Sequence, residues 1–117
     1  MARFELEDRC LKFAIRVRRL IKLLPRNVIN IEDGKQVVRS SGSVGANYIE
    51  ANENLGEKDF KMRLRIARKE ARESGYWLKI IKEMNVNDSN EIANLIDEAE
   101  QLNKILSSII NLSLIHI

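Results

Sequence analysis

The sequence is short of almost every residue that marks a crosslinked, metal-bound or many-turned protein. Its one Cys cannot close an internal disulfide, and its one His leaves little for a zinc site or a catalytic triad. One Pro and five Gly are too few to turn the many strands of a sandwich or barrel. Aromatics are 5% of the chain, which leaves few rings for stacking on bases. No apolar run approaches the roughly 20 residues that span a bilayer. Acidic residues interrupt the N-terminal MARFELEDRC where a secretion signal needs a clean apolar stretch. A cytoplasmic protein without membrane contact is therefore expected. What remains is 44% hydrophobic and 32% charged over 117 residues, enough for one folded domain with one core.

Apolar residues recur at alternating steps of four and three, the spacing that lines one face of a helix. The first line is Leu6, Cys10, Phe13, Val17, Leu20 and Leu24, and Pro25 ends it. Cys10 is expected to be a buried thiol on that face. Asn30 with Asp33 resembles an N-cap pair that restarts the helix. The second line is Val37, Ser41, Val44, Tyr48, Ala51 and Leu55, stopping near Gly56. The third is Phe60, Leu64, Ala67, Ala71, Ser74, Leu78 and Ile81, widened by Met62, Ile66, Trp77 and Ile80. The turn 85-NVNDSN-90 offers Asp88 and Glu91 as a cap pair. The fourth is Ile92, Leu95, Ala99, Leu102, Leu106 and Ile109, with Ile96, Ile105 and Ile110 beside it. No stretch alternates at period two.

The expected fold is all-α: a single antiparallel up-and-down four-helix bundle, with helices over about 4–24, 31–55, 57–84 and 88–113. The apolar faces of helices 3 and 4 exceed what one seam needs, which suggests a second packing partner such as another subunit.

Helix 2 carries an unusual stretch, R-S-S-G-S-V-G-A-N-Y-I-E-A over residues 39–51. Gly42 and Gly45 sit mid-helix, where each costs about 1 kcal/mol relative to Ala. Close approach of a neighbouring helix is the expected compensation. Gln36, Ser40, Ser43, Asn47, Glu50 and Asn54 form a polar line alongside, suited to a hydrogen-bonded interface. The G-x-x-G at residues 42–45 matches that of a KH domain, but that fold needs strands. A P-loop needs Gly-Lys-Ser/Thr, and Ala46 and Asn47 follow Gly45 instead.

This stretch, with Asp59-Phe60 and K-E-A-R-E-S-G-Y-W-L at 69–78, resembles the bacterial four helix bundle protein family, also called the 23S rRNA intervening-sequence protein family. Members typically carry R-S-x-x-S-V-G-A-N-Y-x-E-A on the second helix and E-x-x-E/D-x-x-x-W-L on the third. Here those positions are Arg39, Ser40, Ser43, Gly45, Asn47, Tyr48 and Glu50, then Glu70, Glu73 and Trp77. The resemblance covers about residues 4–113. Members often show R-S-G-T-S where this chain has Arg39-Ser40-Ser41-Gly42-Ser43, so the glycine is displaced by one place. The resemblance implies a homopentamer. It also implies kinship with the accessory protein of diversity-generating retroelements, a basic barrel that binds nucleic acid and a reverse transcriptase. No enzymatic activity attaches to the family.

The net charge of +3 hides a segregation. Residues 1–26 hold eight Lys and Arg against three Asp and Glu, and residues 58–84 hold nine against four. Residues 27–57 hold two against five, and residues 85–117 hold one against five. Helices 1 and 3 are basic; helices 2 and 4 are acidic. Lys12, Arg16, Arg19 and Lys22 form a row on helix 1. Lys58, Lys61, Arg65, Arg68 or Lys69, and Arg72 form one on helix 3. If both rows share one surface, a ring of subunits multiplies the patch, and RNA or DNA would bind through its phosphates. The competing expectation is a solvated or ion-paired face, and a scaffold for a protein partner. Phe4, Phe13, Phe60 and Trp77 read as core or interface rather than as stacking platforms.

No cofactor or metal is expected. Glu50, Glu70 and Glu73 suit ion pairs with Arg39, Arg68 or Arg72 better than acid–base work, and di-iron bundles need Glu-x-x-His pairs. The only His is His116.

Overall fold

Four long helices form where the four-three apolar lines run. The computed structural model describes residues 1–53 and 55–115. α1 spans Arg3–Leu23, α2 Val28–Ala51, α3 Glu57–Met84 and α4 Ser89–Ile115, with a 3-10 turn at Val86–Asp88 before α4. No strand occurs among the described residues. The bundle measures 48 × 20 × 20 Å.

Side-chain pairs give the helix directions. Arg9 and Arg16 of α1 reach Glu98 and Glu91 of α4, so the two helices run antiparallel. Arg39 reaches Glu70 while Asn30 reaches Asn85, which sets α2 against α3 in the same way. Each helix packs against its chain neighbours, and α4 closes the ring on α1. The α1 and α3 backbones do not approach each other among the described residues. They stand at opposite corners.

The core is the set of four lines. Leu6, Cys10, Phe13 and Val17 meet Val37, Val44, Leu64, Leu78, Ile92, Leu95 and Leu102, all essentially free of solvent. Burying each Leu or Phe contributes about 1.5–3 kcal/mol relative to exposure. The extra apolar width of α4 is used inside the subunit: Ile96, Ile105 and Ile109 pack against the core, as do Phe60 and Trp77 of α3. Large apolar side chains stay exposed on α1 and α2, at Phe4, Leu11, Ile15 and Ile49, and on α3 at Met62, one of the residues that widen its apolar face. Phe4, expected in core or interface, is 72% exposed beneath the Arg3 guanidinium.

Helix boundaries shift most at the two ends of α2, and by one or two residues in α1 and α4. α2 begins at Val28 rather than 31, because Asn27 is the cap: its side chain accepts from the Asn30 N–H at 2.9 Å. The Asn30 and Asp33 pair therefore caps nothing. α2 ends at Ala51, and Leu55 lies outside it, exposed. Gly56 caps α3 at φ 113°, a left-handed conformation that glycine adopts without strain. Asn54, His116 and the Asp88 side chain, each given a place above, lie outside the described residues.

The small-residue stretch does allow close approach. A Cβ on Gly45 would lie 3.0 Å from the Cys10 Cβ, and one on Gly42 would lie 3.0 Å from Arg18 Nη2. Arg18 crosses there to donate to the Val38 carbonyl at 3.1 Å. Residues 42–45 thus sit in unbroken helix against α1, a setting unlike a KH loop.

Candidate nucleic-acid interface

The motif residues of α2 and α3 meet each other within one subunit. Arg39 donates to Glu70 at 2.9 Å with one guanidinium nitrogen and to Glu73 with another. The Glu70 side chain is only 6% exposed, so this pairing offsets the desolvation of its carboxylate. The hydroxyls of Ser40 and Ser74 lie 2.8 Å apart, both buried, and Ser74 donates onward to the Glu70 carbonyl at 2.9 Å. Asn47 donates to the Ser43 carbonyl and hydroxyl, each at 2.9 Å, and Arg63 reaches both Asn47 and Glu50. Glu50 therefore pairs with Arg63, a partner the sequence did not suggest. Tyr48 is buried, and that burial pushes its hydroxyl pKa up. Within the polar line Ser40 is buried and Ser43 and Asn47 are half-buried, while Gln36 and Glu50 lie in solvent.

The basic rows fare differently. On α1, Lys12 pairs with Asp8 at 2.8 Å and Arg16 with Glu91 at 2.8 Å, while Arg19 and Lys22 are exposed without a carboxylate within 4 Å among the described residues. On α3, Lys61 lies 3.8 Å from Glu57. Arg65, Lys69 and Arg72 point outward, and none has a carboxylate within 4 Å among the described residues. Arg68, half-buried, donates to the Ser107 hydroxyl at 3.5 Å and likewise lacks a carboxylate. Neither Arg68 nor Arg72 serves Glu70 or Glu73, which Arg39 takes instead. Because α1 and α3 occupy opposite corners, the two rows form separate surfaces on one protomer.

The outward line of α3 continues past the row to Tyr76 and Lys79. Tyr76 is 60% exposed. Sequence reasoning passed over it, although its step of four from Arg72 places it in the same line. Trp77 holds its ring at 5.2 Å in a T-shaped contact. No group of three or more His, Cys, Asp or Glu that could hold a metal lies among the described residues. No helix there is long and apolar enough to cross a membrane.

Comparison with known proteins agrees with this architecture. The family described as 23S rRNA-intervening sequence protein matches residues 3–108. A crystal structure of a protein of unknown function from the S23 ribosomal protein family of Bacteroides thetaiotaomicron is 34% identical, at a TM-score of 0.79. The match covers 90% of this chain and 97% of that one. No curated protein matches.

Proposed function

The chain belongs to the 23S rRNA-intervening sequence protein family, and we propose that it is a non-enzymatic, cytoplasmic helical-bundle protein that binds nucleic acid through the basic face of α3, with the half-neutralised row of α1 as a second, weaker contact. One observation carries the reading. Arg65, Arg68, Lys69 and Arg72 crowd two turns of α3 without a carboxylate partner among the described residues, while Arg9, Arg16, Arg39 and Arg63 all have one. Unneutralised cations repel one another and gain most from a polyanion that releases its counterions on binding.

The test is binding of RNA and DNA oligonucleotides at a series of salt concentrations. Affinity should fall steeply with salt, and replacing Arg65, Lys69 and Arg72 with Gln should flatten the slope by about one for each phosphate no longer held. No complex at low salt with protein at about 100 µM, the weak end of non-specific affinity, would sink the reading.

Assembly into a homo-oligomer, pentameric as the family resemblance implies, belongs to the same proposal. Its support is the groove between α1 and α2, where Leu11, Ile15 and Ile49 remain exposed around Ala14, Gly42 and Ala46. Light scattering at micromolar concentration should give a multiple of 13.5 kDa. A monomer would remove the self-association and favour the second reading, in which this groove takes a different protein such as a reverse transcriptase.

A further inference from the structure

Gly75 is the helical glycine that packing does not explain. A Cβ at Gly34, Gly42 or Gly45 would come within 3.0 Å of a neighbouring atom. A Cβ at Gly75 would lie 3.7 Å from the Ala99 Cβ, an ordinary contact. Alanine would fit and would favour the helix. Leaving the position bare instead opens the cleft between α3 and α4. The result is a groove of about 420 Å³ whose floor is Ala71, Gly75 and Ala99.

The rim of that groove has a particular chemistry. Arg72 and Lys79 stand on the α3 side and Lys104 on the α4 side. Only Glu100 opposes them there, 3.9 Å from Lys79, so the rim keeps a positive excess. Tyr76 stands between Arg72 and Lys79, held by Trp77 yet mostly in solvent. Asn103 also lines the groove, its amide nitrogen donating to the Arg68 carbonyl at 3.4 Å. An exposed ring, a small-floored recess and cations on both banks are the parts that seat one base and its flanking phosphates.

We propose that the α3/α4 groove holds an unpaired nucleotide of a single strand, its base on Tyr76 and its phosphates on Arg72, Lys79 and Lys104. The inference rests on the nucleic-acid reading and narrows it: the α3 face prefers single strands over duplex. A base inside a duplex is stacked on both faces and cannot reach the ring without unstacking. Phosphate contact alone would be indifferent to the bases.

The experiment compares three fluorescent ligands of equal length at one salt concentration: oligothymidylate, an abasic strand with the same backbone, and a blunt duplex. Oligothymidylate should bind more tightly than the abasic strand by about 5- to 150-fold, the range of one base stacked on an aromatic side chain. Tyr76→Ala should abolish that preference, and Tyr76→Phe should keep it. Arg72→Gln should weaken both single strands alike.

Equal affinity for the abasic strand and oligothymidylate would overturn the groove assignment while leaving charge-driven binding by α3 standing. So would an unchanged preference in Tyr76→Ala. A Tyr76→Ala variant with a smaller assembled mass by light scattering would make this face a subunit contact, which also overturns the assignment. Failure of all three ligands to bind at low salt would remove both readings together.

Discussion

The side-chain amides of Asn30 and Asn85 each donate to the other's carbonyl oxygen at 2.9 Å, joining residues 55 positions apart. Both are nearly sealed from water, at 5% and 7% exposure. Each also donates to a second carbonyl: Asn30 to that of Pro25 in the α1–α2 connection, and Asn85 to that of Ile81 in the last turn of α3. The pair thus ties the α1–α2 connection to the end of α3.

Breaking this pair on one side strands a buried amide. Asn85→Leu or Asn30→Leu alone should cost about 1–3 kcal/mol. The double variant should lose less than the two singles combined, because neither amide is then left facing an apolar side chain, although the Pro25 and Ile81 carbonyls still lose their donors. Denaturant titration of the four proteins measures this, and simple additivity would contradict the pairing.

Arg39 should matter for stability through Glu70. Arg39→Met leaves a mostly buried carboxylate with its chief partner gone. A fully buried pair would cost more, but Arg39 is itself half in solvent. We expect a loss of about 1–3 kcal/mol, much of it recovered when Glu70→Gln is added. Thermal melts of the single and double variants read the recovery.

The glycines should respond in opposite ways. Gly75→Ala meets no close neighbour and should stabilise by about 0.5–1 kcal/mol. Gly45→Ala gains the same helix preference but presses on the backbone-borne Cβ of Cys10 at 3.0 Å, so it should gain nothing or destabilise. A rise in melting temperature for Gly45→Ala equal to that for Gly75→Ala would show that α1 and α2 are not in tight contact.

Cys10 links stability to alkaline pH. Burial pushes its thiol up to about 12 from 9.0. The folded state therefore holds the proton more tightly than the unfolded state. Stability from this group is complete below about pH 9 and is lost as pH rises towards 12. The fall between those values should be shallower in Cys10→Ala than in the parent. The native thiol should also resist alkylation at pH 8 and react once the chain is unfolded.

The α3 boundaries and the buried lines of all four helices were legible because they are local. A four-three repeat of apolar residues needs only its own turns to define a face. The start of α2 was not legible, since Asn27 and Asn30 are equally good caps by type. Asn85, distant in sequence, takes the Asn30 side chain and leaves Asn27 at the terminus. The charge rows were legible as rows, but which of their members were neutralised was not. Arg16 lost its freedom to Glu91 of a helix 75 residues away, and Glu50 went to Arg63 rather than to Arg39.

By itself, then, the sequence determined four amphipathic helices, the residues they bury and the family to which the chain belongs. These follow from periodicity and motif, which are written along the chain. Tertiary structure alone decided that basic α1 and α3 stand at opposite corners, because short connections make consecutive helices neighbours and push alternate ones apart. It also decided that Tyr76 stays in solvent over a groove floored by Gly75 and Ala99, since that depends on how far apart two packed helices stand.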